Sequence, residues 1–189
     1  MTKIIIIGAG AMGSAFTVPC LENKNDVTLV GTHLEDDLIK KIKLNKNFHP
    51  ALNTELPLKL NVEKFEKLSS ILESKVDIIV AGVSSIGIKW FVDQISKNYK
   101  KNIPIVLLTK GLAIEENEIM TLSDKIKKLL KEKGHTEVNV SAIKGPCLAA
   151  GLANKMRTGT VIANPNIKET ALLKKIITTD YYSTEISDD

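Results

Sequence analysis

Three glycines near the start of the chain, Gly8, Gly10 and Gly13, have the spacing of a turn that binds a diphosphate. They follow the apolar run 3–7, which favours a buried strand, and they precede a stretch that favours a helix. The first glycine permits a tight turn, the second leaves room for backbone to approach a pyrophosphate, and the third lets helix and strand pack closely. The free amides and the dipole at such a helix start favour an anion. We therefore predict a dinucleotide-binding turn at 8–13.

Other polar side chains follow three later apolar runs. Ser84 follows the run 77–83, Lys110 follows 105–108, and Cys147 follows 138–143. Ligands of doubly wound sheets gather beyond the carboxyl ends of the strands, so these side chains are candidates for one cleft. Ser84 either lines that cleft or caps the next helix, and the two roles are compatible. Lys110 is either a cleft residue or a solvated loop lysine. No histidine is evidently placed to activate Cys147, so we do not expect it to be a nucleophile.

The choice between NAD and NADP depends on the residues after the second strand, 27–30. An acid at the end of that strand would hold the ribose hydroxyls of NAD, but Asp26 lies at the opposite end. Thr32 and Glu35 have the spacing of a capping box, and we favour that role for Glu35. His33 is interpreted as a surface residue with no role. No acid is then placed to repel a ribose phosphate, so the cofactor is NAD or NADP.

Composition excludes several classes of protein. The net charge is +4, and Arg157 is the only arginine among 26 basic residues, which argues against specific recognition of nucleic acid. Cys20 and Cys147 are too few and too far apart to indicate a disulfide framework or a metal site. The uncharged stretch 4–21 contains three glycines and Pro19, so we expect neither a signal sequence nor a membrane span. We expect a cytoplasmic protein.

Apolar strands alternate with amphipathic helices along the chain. This alternation predicts an α/β fold with a doubly wound, mostly parallel, Rossmann-like sheet, and a single dinucleotide-binding domain over 1–189. Apolar residues from Ile119 to Leu130 share one face of a predicted helix. A further helix is expected to start at Pro146, and 182–186 is expected to form an edge strand.

Four separated motifs occur in the order and spacing found in one enzyme family. They are GAGAMG at 8–13, GVSS at 82–85, TKGL at 109–112 and KGPCLA at 144–149. With them the chain resembles the nucleotide-binding half of the NAD(P)-dependent glycerol-3-phosphate dehydrogenases. Ketopantoate reductases share the nucleotide fold but carry a Lys-Asn-Gly signature in the corresponding region, so TKGL and GPCLA argue against them.

The resemblance implies reduction of dihydroxyacetone phosphate to sn-glycerol 3-phosphate, a glycerolipid precursor, and the reverse oxidation. It implies a catalytic Lys110 where cofactor and substrate meet; an ammonium there would stabilise the negative charge that develops on a ketone oxygen. The other implied contacts are Gly8, Gly10, Ala11, Met12 and Gly13 to the pyrophosphate, Thr32 to the adenosine ribose, Ala149 near the nicotinamide, and Gly145 and Cys147 to the substrate.

Two departures from the family's pattern affect these expectations. Family members usually carry a charged residue and then an acid after GPxxA, where this chain has Ala150 and Gly151, so we expect a shorter helix there. The family's proton-donating lysine and phosphate ligands lie in a helical second domain, and nothing in the 189 residues matches it. We therefore expect an inactive isolated chain that associates with a separate helical domain or with itself. The alternatives are a non-catalytic cofactor-binding sensor and another reductase of the same superfamily.

Overall fold

A twisted central sheet organises the computed structural model, which describes residues 1–100, 102–115 and 117–189. Within these ranges eight strands form that sheet in the spatial order β12-β11-β10-β7-β6-β1-β2-β5, and two hairpins, β3–β4 and β8–β9, lie outside it. In chain order the strands are β1 (Lys3–Ile7), β2 (Asp26–Val30), β3 (Phe48–His49), β4 (Thr54–Glu55), β5 (Asn61–Glu63), β6 (Ile78–Ala81), β7 (Ile105–Leu107), β8 (Leu112–Glu115), β9 (Glu118–Thr121), β10 (Val140–Lys144), β11 (Thr158–Ala163) and β12 (Tyr182–Ser187).

Neighbouring strands of the sheet run parallel except for the pair β10 and β11. β1 lies between β2 and β6, and Ile7 pairs with both Val30 and Ala81. We call the edge at which β1, β2, β6, β7 and β10 end the carboxyl rim. The predicted mostly parallel α/β sheet is confirmed.

Helices cover both faces of the sheet, as a doubly wound fold requires. Side chains of α1, α2, α6 and α7 pack with Ile4 and Ile6 on one face, and those of α3, α4 and α5 pack with Ile5 and Ile7 on the other. Both faces of β1 are thus buried, which explains its unbroken apolar sequence. The helices are α1 (Ala11–Glu22), α2 (Asp36–Leu44), α3 (Leu68–Glu73), α4 (Ile88–Ile95), α5 (Leu122–Glu132), α6 (Ala149–Ala153) and α7 (Ile167–Ile177), with a 3₁₀ turn at Phe65–Lys67.

The helix predicted to include Ile119 begins three residues later. Ile119 lies in β9 with its side chain exposed, and Asn117 takes a positive φ of 67° in the hairpin turn. Asparagine tolerates this conformation better than most residues, and a hairpin can therefore form where the apolar period alone predicts a helix. The side chain of Thr121 accepts a hydrogen bond from the amide of Asp124, and this cap starts α5 at Leu122.

Two other predicted helix starts are also displaced. Thr32 does not cap α2. The segment 32–35 forms a turn in which the amide of Glu35 donates to the backbone carbonyl oxygen of Thr32 at 3.0 Å, and α2 begins at Asp36. The helix expected at Pro146 begins at Ala149 and has only five residues, as its internal glycine suggests. No helix in the described ranges has the length and apolar character needed to traverse a bilayer.

Candidate functional site

The glycine turn packs tightly on the sheet side and is open on the other. Gly8 has φ of 110°, and a Cβ there would lie 2.7 Å from the carbonyl carbon of Gly82. A Cβ on Gly13 would lie 2.2 Å from the oxygen of Gly8. A Cβ on Gly10 would approach nothing closer than Glu35 Oε1, at 3.9 Å. Backbone contact therefore requires glycine at the first and third positions, and the second faces open space.

The first residues of α1 lie on the open side of the glycine turn. Ala11, Met12 and Gly13 are its first residues, and their amides have no partners within the helix. The first turn of α1 itself contains no acidic residue. Amides and helix dipole together fit a pyrophosphate, so these residues could hold a dinucleotide.

Distant side chains hold both polar groups of Ala9, inside the glycine turn. Its amide donates to Glu35 Oε2 at 2.9 Å, and its carbonyl accepts from Ser14 Oγ at 3.0 Å. The carbonyl also contacts His49 Nε2 at 2.9 Å. The buried ring of His49 accepts the amide of Leu52 at Nδ1, so Nε2 carries the hydrogen and donates to Ala9. Sequence reasoning missed His49, because no local pattern relates it to a turn 40 residues earlier.

The carboxylate of Glu35 joins the glycine turn to the end of β2. Besides Ala9, Oε2 accepts the amide of Thr32 at 2.7 Å. A capping box would contain this same bond from the Thr32 amide to the glutamate side chain, although Thr32 is not the N-cap of α2. Two backbone amides thus fix the carboxylate of Glu35 where the glycine turn meets the end of β2.

Three aromatic rings meet just beyond β2 and form what we call the aromatic cluster, His33, Phe65 and Trp90. The ring centre of Trp90 lies 5.1 Å from that of His33 and 5.4 Å from that of Phe65. No role for His33 was evident from the sequence, because its two ring partners come from distant parts of the chain. Flat aromatic surfaces of this kind can stack with a nucleobase.

Lys110 reaches across the carboxyl rim toward the glycine turn. Its ammonium donates to the oxygen of Gly145 at 2.6 Å. The side chain lines a small cavity together with Met12, Gly145 and Cys147. Ala149, at the start of α6, packs on the same apolar core as Met12. The structure thus brings the residues of the GAGAMG, TKGL and KGPCLA motifs to one place.

A second lysine lies beside the first. The ammonium of Lys144 donates to the oxygen of Thr109, so the two loops exchange lysine-to-carbonyl bonds. Burial and the positive charge of Lys110 lower the pKa of Lys144. Lys144 opens the KGPCLA motif, but nothing in the sequence pattern indicated a role for it.

The remaining candidates lie at the same rim. Ser84 is exposed, and Gly87 rather than a serine occupies the N-cap of α4, so the capping alternative is wrong. Burial raises the pKa of the Cys147 thiol, which suits an inert residue. Among the residues that the structure describes, no three His, Cys, Asp or Glu side chains are grouped so as to hold a metal ion.

Comparison with known proteins identifies the family. The profile described as "NAD-dependent glycerol-3-phosphate dehydrogenase N-terminus" matches residues 3–170. The chain belongs to this family. It is 34% identical over 189 residues to an NADP(+)-dependent glycerol-3-phosphate dehydrogenase of Archaeoglobus fulgidus, covering 98% of this chain and 53% of the relative. It is 29% identical over 181 residues to a glycerol-3-phosphate dehydrogenase [NAD(P)+] of Mesoplasma florum, covering 95% of this chain and 52% of the relative.

A solved structure of a glycerol-3-phosphate dehydrogenase from Plasmodium falciparum shares the fold. It matches with a TM-score of 0.83 at 18% identity, over all of this chain and 53% of the other. The resemblance inferred from the four motifs is therefore confirmed. The chain spans about half the length of the curated relatives that it matches.

Proposed function

We propose that residues 1–189 form a dinucleotide-binding domain that binds NAD(H) or NADP(H) and provides the nucleotide half of a glycerol-3-phosphate dehydrogenase. The observation that carries the proposal is the cavity shared by Lys110 and Met12, because it joins the loop with the ammonium to the glycine turn. Membership of the family supports the choice of cofactor.

The geometry supports one course for the dinucleotide along the carboxyl rim. The amides that open α1 would hold the pyrophosphate, with Gly8, Gly10 and Gly13 giving it room. The adenosine would extend toward Thr32, its base against the aromatic cluster. The nicotinamide would extend the other way, past Ser84 and toward Ala149. Both directions follow from the positions of β2 and β10 on opposite sides of β1.

Lys110 is the proposed catalytic residue of this half. The bound nicotinamide supplies or accepts hydride at the carbon of dihydroxyacetone phosphate or sn-glycerol 3-phosphate. The ammonium of Lys110 binds the substrate oxygen and stabilises the negative charge that develops on it. Gly145 accepts the ammonium of Lys110, and with the neighbouring Cys147 it would help to position the substrate, as the family resemblance implies.

Exposed apolar side chains at the rim support a further partner. Ile86, Leu112 and Leu148 follow β6, β7 and β10 and are all exposed. We propose that a helical substrate domain covers them, in a longer polypeptide or a separate chain, or that a second copy does. Since the family's proton donor lies in that domain, we expect negligible turnover by these 189 residues alone. The buried free thiols of Cys20 and Cys147 support a cytoplasmic location.

Titration with NADH and with NADPH tests the proposal directly. Trp90 is the only tryptophan and lies in the aromatic cluster, so its fluorescence should change saturably as either cofactor binds. Lys110→Met should weaken binding severalfold, whereas Lys59→Met, which alters an exposed lysine elsewhere, should not. Absence of saturable binding by calorimetry as well as by fluorescence would refute the proposed function.

A further inference from the structure

Resting on the proposed function, the geometry points to Lys144 as a positioning residue that holds the loop of Lys110 in place and so fixes its ammonium at the site. Lys144 ends β10, and Lys110 follows β7. These strands are parallel neighbours in the sheet, with Ala142 opposite Leu107. The fold therefore brings the two lysines to the same part of the carboxyl rim.

Each lysine bonds to the backbone directly beside the other. The ammonium of Lys110 donates to the carbonyl of Gly145 at 2.6 Å. The ammonium of Lys144 donates to the carbonyl of Thr109. We call this pair of bonds the lysine clasp. A hydrogen bond from a charged donor is roughly twice as strong as a neutral one, so the clasp ties the two loops firmly together.

The loop of Lys110 has little packing of its own. Lys110 and Gly111 are exposed, and in the described part of the chain no distant atom lies within 4 Å of the Cβ position of Gly111. Thr109 is held on both sides, because its hydroxyl donates to the carbonyl of Val83 and its own carbonyl accepts the ammonium of Lys144. These bonds fix the backbone from which the side chain of Lys110 extends.

The loop of Lys144, in contrast, is fixed on β11. The hydroxyl of Thr160 donates to the carbonyl of Lys144 at 2.7 Å. A Cβ on Gly145 would lie 3.0 Å from the Cα of Thr160, so the two backbones are in close contact. The lysine clasp therefore joins an exposed loop to a part of the chain that the sheet holds in place.

Lys144 lies outside the cavity that Lys110 lines. Met12 and Cys147 line that small cavity together with Lys110. The side chain of Lys144 instead lines a cleft beside α5, with Leu122. The effect of Lys144 on a bound cofactor must then pass through the position of Lys110.

A second cation beside Lys110 is unfavourable in itself. Burial and the positive charge of Lys110 both lower the pKa of Lys144. A long, flexible lysine side chain can usually keep its ammonium in water and so avoid this cost. The ammonium of Lys144 nevertheless stays beside Lys110, so the bond to Thr109 outweighs the repulsion in the folded chain.

A double-mutant cycle on NADH binding, measured by calorimetry with the 189-residue chain, tests the proposal. We expect Lys144→Met to weaken binding severalfold, as Lys110→Met does. In the Lys110→Met background the same change should have less than about a twofold effect, because the residue through which Lys144 acts is already absent. Lys144→Arg keeps a charged donor toward Thr109 and should retain most of the affinity.

A matched control separates the clasp from a general loss of positive charge. Lys127 lines the same cleft as Lys144 and pairs with Asp124 at 3.5 Å, so Lys127→Met should leave NADH binding unchanged. Circular dichroism and urea unfolding show whether each variant folds. If Lys144→Met folds poorly, Lys144→Gln provides the same comparison, since glutamine is shorter and uncharged.

The outcomes separate this inference from the proposed function. Unchanged NADH binding by Lys144→Met, or an equal loss in both backgrounds, would overturn the positioning role while leaving the dinucleotide site in place. An equal loss in Lys127→Met would attribute the effect to charge alone and would overturn the role as well. Failure of the wild type to bind NADH or NADPH would overturn the proposed function itself, and the inference with it.

Discussion

Replacing His49 with alanine should destabilise the chain and loosen the glycine turn. The ring is buried, donates to Ala9 at 2.9 Å and accepts from Leu52 at 3.3 Å. After the change Ala9 keeps Ser14 as a partner, and the amide of Leu52 keeps the backbone oxygen of residue 49, at 3.2 Å, as its acceptor. The two lost side-chain hydrogen bonds cost about 0.5–1.5 kcal/mol each, and removing a buried ring also removes its packing, so we expect a loss of about 3 kcal/mol in the free energy of unfolding.

Urea and thermal unfolding measure this loss. About 3 kcal/mol corresponds to a fall in Tm of roughly 6–12 °C for a chain of this length. Two matched variants separate the bonds: His49→Gln can keep a donor toward Ala9, and His49→Asn can keep an acceptor toward Leu52. If the Ala9 bond shapes the cofactor site, NADH should bind more tightly to the glutamine variant than to the alanine variant.

A loss of less than about 0.5 kcal/mol in His49→Ala would refute the reasoning, since that is the range of ordinary surface substitutions. If stability falls as expected but NADH binding is unchanged, only the proposed effect of the Ala9 bond on the cofactor site is refuted. The two readouts therefore test the packing and the positioning separately.

Three other substitutions have defined outcomes, and a fourth tests a pH dependence. Gly13→Ala places a Cβ 2.2 Å from the oxygen of Gly8, so it should cost about 1–3 kcal/mol and weaken NADH binding at least tenfold. Gly151→Ala meets only ordinary contacts at 3.8 Å and should stabilise by up to about 1 kcal/mol; equal effects of the two changes would contradict the geometry. Because burial lowers the pKa of Lys144, the unfolded chain binds more protons than the folded one as pH rises toward 10.5, and folding gains stability over that interval. The unfolding free energy of Lys144→Met minus that of the wild type should therefore fall over this interval in urea titrations, and a constant difference would contradict the assignment. Asn164→Ala removes the hydrogen bond of 2.7 Å that Asn164 donates to the side chain of Asn139, and it should lower the free energy of unfolding in urea by about 2 kcal/mol. A change below about 0.5 kcal/mol would refute this prediction.

The sequence predicted those parts of the fold that depend on local chemistry. The four consecutive isoleucines of β1 are buried on both faces, as their unbroken apolar pattern indicates. β12 is an edge strand, as expected from the sequence. The β8–β9 hairpin was missed because apolar residues in its strands also match a helical period.

In the candidate site, too, the sequence predicted the residues that belong to local patterns and missed those that depend on long-range contacts. The glycine spacing and the order of the motifs are local signals, and they are sufficient to select Gly8, Lys110 and Gly145 from the sequence. His49 and the orientation of Glu35 depend on contacts between segments 26 and 40 residues apart, which no spacing rule describes. The capping-box pattern correctly indicated the hydrogen bond from the Thr32 amide to Glu35, but a turn at 32–35 makes this bond before α2 begins.

The two long-range contacts of Ala9 limit how far the glycine turn can be treated as a portable unit. A strand–turn–helix segment transplanted into another protein would bring its glycines but leave behind the groups that hold the Ala9 amide and carbonyl. Transfer of this turn to another protein would also require Glu35 and His49, together with the segments that position them. The smallest transferable anion cradle of this chain is therefore about fifty residues long rather than six.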